Sequence, residues 1–140
     1  MKFSTEKAIE ILERTPLALE GMLDGISKDW AHIQEGSGLW CVYDVVGHLI
    51  HGERTDWIPR LELILSNHPT KEFSAFDREA QFVNSKNKSL KELLFQFRYL
   101  REINVDILKA YDLNEEQLKM TGIHPAFGEV TMQQLIATWT

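Results

Sequence analysis

Trp40-Cys-Val-Tyr-Asp-Val-Val-Gly-His-Leu-Ile-His-Gly-Glu-Arg54 reads as an amphipathic helix with a histidine at the border of its apolar stripe. At 100° per residue, Val42, Val45, Val46 and Leu49 cluster on one arc. Cys41, His48 and Gly52 sit at one edge of it, with Asp44 and His51 further out on the same side. Asp44, His48 and His51 follow i, i+4, i+7 spacing, which stacks their side chains in one stripe. Glu53 falls inside the apolar arc near Val42 and Val46. A carboxylate there needs a partner, a metal or a water. The pattern continues, so one helix is predicted over Trp40–Leu65, ended by Asn67, His68 and Pro69.

Two readings stand for His48. One is a core-edge histidine bonded to a carbonyl or carboxylate. The other is a metal ligand, with Gly52 one turn later leaving room for a water or a substrate. No His-Glu-x-x-His motif is present to decide between them. His51 lies towards the polar face and is expected to be exposed. Glu53 has its own pair of readings: an ion pair with an arginine of another helix, such as Arg98 or Arg101, or a catalytic carboxylate. His32 and His68 fall in polar loops and read as solvated. His124, before Pro125, is expected to cap or tether the last helix. Cys41 has no activating base in sequence and reads as a small buried residue. The tryptophans read as core anchors, and Trp30 is expected to pin its loop to the core. There is no Gly-rich phosphate loop and no nucleophile elbow.

Outside this segment the chain repeats the helical period. Ala8, Ile9, Ile11, Leu12, Leu17, Leu19, Met22 and Leu23 form a first pattern, interrupted by Pro16. Thr15-Pro16 reads as an N-cap followed by proline, so a break or kink is expected there, with the second segment ending near Gly25. Residues 26–39 form a connection with a flexible Gly36-Ser37-Gly38. Phe73 and Phe76 tether a second connection, and Asp77 to Ser85 reads as a further helical piece. Ser89-Leu-Lys-Glu92 is a capping box opening a long helix through Leu90, Leu93, Leu94, Phe97, Leu100, Val105, Leu108 and Tyr111. Asn114 to Leu118 forms a helical turn. Gly122, Pro125 and Gly128 mark a loop. Thr131-Met-Gln-Gln134 is a second capping box, and Leu135, Ile136 and Trp139 begin another stripe. No segment alternates with period two. The pattern is all-α, a bundle of helices with long crossing connections.

The chain has 140 residues, enough for one domain with a real core. Its formal net charge is −6 and no basic cluster stands out, which disfavours nucleic-acid binding. No apolar run reaches membrane-spanning length. The N-terminus has the character of neither a signal nor a transit peptide. A single cysteine excludes a disulfide within the chain, and a cytoplasmic location is expected.

Trp40, the run Tyr43-Asp-Val-Val-Gly-His-Leu-Ile-His-Gly-Glu-Arg54 and the later Phe127-Gly-Glu-Val-Thr131 resemble the DinB-like superfamily. That group includes bacillithiol and mycothiol S-transferase-like proteins, and the resemblance extends over almost the whole chain. It implies a four-helix bundle over residues 1–140, with a three-histidine metal site between helices. His48 matches the family's second-helix ligand. The other two ligands belong on the fourth helix, after a stretch like Leu135–Thr140, and no histidine here matches them. Zinc or nickel is the implied ion. The implied activity is that of a metal-dependent thiol S-transferase or hydrolase, acting on a small molecule or thiol. Glu53 would then orient His48 or shuttle a proton. Cys41 stands where many relatives have a serine N-cap, so its capping box with Asp44 is expected to be weak. The fourth helix looks truncated, about 15 Å from Thr131 to Thr140 at 1.5 Å per residue. The chain is therefore expected to be part of a longer protein. Weak or absent metal binding and little activity are expected in this form, with self-association, such as a homodimer, through the open bundle face. The alternative is a non-catalytic bundle that binds a small ligand or a partner protein in that groove.

Overall fold

The computed structural model describes residues 2–140. In chain order the elements are α1 (Thr5–Leu23), α2 (Lys28–His32), α3 (Val42–Thr55), α4 (Trp57–Leu65), α5 (Ala80–Asn84), α6 (Leu90–Tyr111), α7 (Glu115–Lys119), β1 (Thr121–His124), β2 (Gly128–Thr131) and α8 (Met132–Trp139). The four walls of the bundle are α1, the α3–α4 pair, α6 and α8. The long helix α6 packs along both α1 and α3, while α8 closes on α4 and α1. No helix among the described residues is long and apolar enough to cross a membrane.

Two prolines behave in opposite ways. The break expected at Thr15-Pro16 is absent, and α1 runs unbroken through a buried Pro16. A proline inside a helix leaves the carbonyl four residues earlier without its donor. That carbonyl belongs to Leu12, and Arg101 of α6 donates Nη1 to it at 3.2 Å. A tertiary contact therefore replaces the lost helical bond. Pro59 meets no such rescue. The carbonyl it orphans is that of the exposed Thr55. The single helix expected over Trp40–Leu65 divides there into α3 and α4, with Asp56 between them at φ −104° and ψ −62°. Hydrogen bonds from Asp56 N to Gly52 O and from Arg60 N to Asp56 O carry the chain through the bend.

Local signals set most other boundaries. Ser89–Glu92 and Thr131–Gln134 form the expected capping boxes. At α3, the Asp44 carboxylate accepts both the Cys41 backbone N–H and its thiol at 3.0 Å. The Gly122–Gly128 region, expected as a loop, is an antiparallel hairpin pairing Thr121 with Thr131 and His124 with Gly128. The connection before α5 joins it, since Phe73 N donates to Ile123 O and Ile123 N to Lys71 O. Gly122 is required at this junction, because Phe73 and Ile64 lie directly over its Cα.

The larger core cluster gathers Leu12, Leu61, Ile64, Phe73, Leu108, Met132, Ile136 and Trp139. A second joins Val46 and Ile50 of α3 to Leu93, Leu94 and Phe97 of α6. Two expectations fail on the surface. Val45 is exposed to solvent at 44%, and Trp30 is 69% exposed, so it pins nothing. Residues 26–39 are instead held where Ala31 is buried and His32 packs against the Tyr43 ring.

Candidate functional site

Glu53 occupies the apolar arc of α3 and is 2% exposed. Its Oε1 accepts from Arg101 Nε at 2.9 Å, Arg101 Nη2 at 2.7 Å and Trp139 Nε1 at 2.9 Å. Its Oε2 accepts from Asn104 Nδ2 at 3.0 Å, and the same amide reaches the Glu53 carbonyl at 2.7 Å. Arg101 also lies over the Phe97 and Trp139 rings. One carboxylate thus joins α3, α6 and α8, and through Arg101 it reaches the Leu12 carbonyl of α1. An arginine partner for Glu53 was expected, and it is Arg101. Arg98 faces outward to Glu20 and Glu102. Glu53 makes no hydrogen bond to His48.

On the other side of Trp139 opens a cleft of about 530 Å³, a volume that suits a small organic ligand. Trp40, His48, Phe76, Arg78, Phe127 and Trp139 line it. The His48 ring is held between Trp40 and Phe76, each 4.8 Å away between centroids. Its Nδ1 is buried without a hydrogen-bond partner. Burial lowers the His48 pKa from the ordinary imidazole value. Nearby His51 and Arg78 lower it further, and Asp56 opposes this. His51, expected to be exposed, is half-buried against Phe76.

Behind His48, Gly47 lets α5 approach α3, since a Cβ there would stand 3.1 Å from the Gln81 Cβ. The Tyr43 hydroxyl is shared between the Ser85 and Lys88 carbonyls, which ties the α5–α6 turn to α3. At the far wall, Asp56 pairs with Arg60 at 3.1 Å. Burial pushes the Asp56 carboxyl up, and the Arg60 charge pulls against it. His124 does not cap α8. Its Nδ1 accepts the backbone N–H groups of Ala126 and Phe127, which shapes the hairpin turn, and its ring stacks on Phe127 at 4.6 Å. Cys41 is buried, and burial raises its thiol pKa.

A three-histidine metal centre needs three imidazoles converging on one point. His48 offers one imidazole to the cleft, Asp56 is committed to Arg60, and His124 to its own turn. Among the described residues, no three His, Cys, Asp or Glu side chains come together as a ligand group. The residues present do not fit such a centre. Arg78, Phe76 and Phe127, which sequence reading did not place at this cleft, come to it on a connection and a hairpin turn. No spacing along the chain marks that convergence.

The DinB superfamily pattern matches residues 11–140. Among solved structures, YfiT from Bacillus subtilis is similar at a TM-score of 0.80 and 21% identity. The match covers 99% of this chain and 80% of that one. YfiT is described as a probable metal-dependent hydrolase with an unusual four-helix bundle topology. No curated protein matches by sequence. The helical bundle fold and the match over nearly the whole chain agree, and the chain belongs to the DinB superfamily.

Proposed function

We propose that this domain carries the small-molecule cleft of a metal-dependent hydrolase or thiol S-transferase, and that these 140 residues by themselves hold zinc or nickel weakly or not at all. The carrying observation is His48, which presents an imidazole to a ligand-sized cleft where, among the described residues, no group of three ligating side chains comes together. YfiT's description supports the metal-dependent reading of the fold, and the donor set supports weak binding in this form. In this reading His48 is a metal ligand. Glu53 acts from behind the cleft wall by fixing Arg101 and Trp139, which both line it.

The cleft would receive a small organic molecule with or without an ion. Its aromatic and arginine lining favours, as a second reading, a binder without chemistry of its own. Elemental analysis of the purified, dialysed chain tests the metal statement. Metal content well below one ion per chain is expected. One zinc or nickel per chain, lost in His48→Ala, would overturn it.

A further inference from the structure

We propose that the cleft is selective for a small monoanion with a flat apolar body, and that Arg78 receives the negative group. This rests on the reading of the cleft as a small-molecule site and names the class of molecule.

The charges around the cleft can be added up. Arg60 is neutralised by Asp56 at 3.1 Å, and Arg101 by Glu53 at 2.7 Å. Arg78 lines the same cleft and forms no ion pair among the described residues. At about pH 8 the His48 and His124 imidazoles carry little charge. The cleft is therefore left with one positive charge, on a chain whose net charge is −6. The acids flanking Arg78 in sequence do not cancel this within the cleft. Asp77 accepts the Glu79 N–H at 2.9 Å, and it opens onto a separate depression beside His51 and Thr55. Glu79 is exposed and does not line the cleft.

The walls supply the second requirement. Trp40 and Phe76 enclose His48, and Trp57 and Trp139 stack at 5.9 Å on the far side. Phe127 is 79% exposed at the hairpin turn, on the rim of the cleft. Aromatic faces at these positions suit a planar apolar body, and a planar guanidinium suits a carboxylate. A cation would meet Arg78 unfavourably. A dianion would find one uncompensated arginine and the Asp56 carboxylate.

NMR-monitored titration of the full chain at about pH 8 and low salt tests this. The probes are benzoate, its neutral isostere benzamide, and benzylammonium, with Arg78→Gln in parallel. Because Arg78 is exposed, its replacement leaves the core untouched. Benzoate is expected to shift the His48 and Trp40 signals and to bind at least about fivefold more tightly than benzamide. That preference is expected to vanish in Arg78→Gln, and benzylammonium to bind most weakly. Equal binding of benzoate and benzamide at those signals would overturn the monoanion proposal while leaving the small-molecule reading standing. So would a preference that survives Arg78→Gln. No shift at His48 and Trp40 with any probe would overturn both.

Discussion

Replacing Glu53 by glutamine changes few atoms and removes the charge at the centre of the bundle. Arg101 is 4% exposed and Glu53 2%. In the variant the guanidinium stays buried with no counter-charge. The new amide can still turn its oxygen towards Arg101 Nε and Nη2 and Trp139 Nε1. Its NH2 group then faces Asn104 Nδ2, donor against donor. Asn104 cannot turn over without giving up its 2.7 Å bond to the Glu53 carbonyl. Breaking a buried ion pair by neutralising one partner costs about 3–5 kcal/mol. For a domain of this size that corresponds to a drop in Tm of roughly 10–17 °C. It is a large share of the roughly 5–15 kcal/mol that holds a typical domain together. Urea and thermal melts followed by tryptophan fluorescence read it directly, because Trp139 donates to the altered side chain. Arg98→Met is the control. Its ion pair with Glu20 is solvated, so a far smaller loss than that of Glu53→Gln is expected. A double-mutant cycle with Arg101→Met should show strong coupling to Glu53. A Glu53→Gln protein within about 1 kcal/mol of the parent would refute the assignment of Glu53 as the charge that joins the helices.

Two further outcomes concern the cleft and the hairpin. Burial first, then His51 and Arg78, depress the His48 pKa, so the unfolded chain binds that proton more readily. Its contribution to stability is present in full above the unfolded value of about 6.5 and is lost as pH falls through the folded value. Urea midpoints should therefore fall between about pH 7.5 and 5.5, and fall less in His48→Asn; equal falls would clear His48 of the effect. Gly122→Ala places a Cβ 2.6 Å from Phe73 Cζ and 3.0 Å from Ile64 Cγ1. Overpacking of that kind should cost about 1–3 kcal/mol in a thermal melt, and an unchanged Tm would show that the hairpin shifts freely over Phe73.

Helix caps were readable because they are local. Ser89 and Thr131 each bond a residue three positions away, and no other part of the chain is needed to complete the box. The register of α6 was readable for the same reason, from apolar residues at three- and four-residue steps. Glu53 could be seen to need a partner, since a carboxylate within an apolar arc must be satisfied. That the partner is Arg101 and not Arg98 depends on how α6 is rotated against α3. The cleft was legible only at His48. Phe76, Arg78 and Phe127 arrive on connecting segments, whose paths are set by long-range contacts such as those of Phe73 and Lys71 with Ile123.

Sequence by itself determined a mostly helical chain, a helix carrying His48 and Glu53, and the family to which the chain belongs. Tertiary structure decided what each proline and each charge does. Pro16 and Pro59 pose the same local problem, a carbonyl without its helical donor. Arg101 solves it at Leu12, so α1 runs on, whereas the exposed Thr55 carbonyl meets no such donor and the chain bends at Asp56. The same guanidinium neutralises Glu53 and helps wall the cleft, so the packing of α1, α3 and α6 is settled together. Nothing local to any one of those helices contains that information, because the donor lies on α6 and the acceptors on α1 and α3.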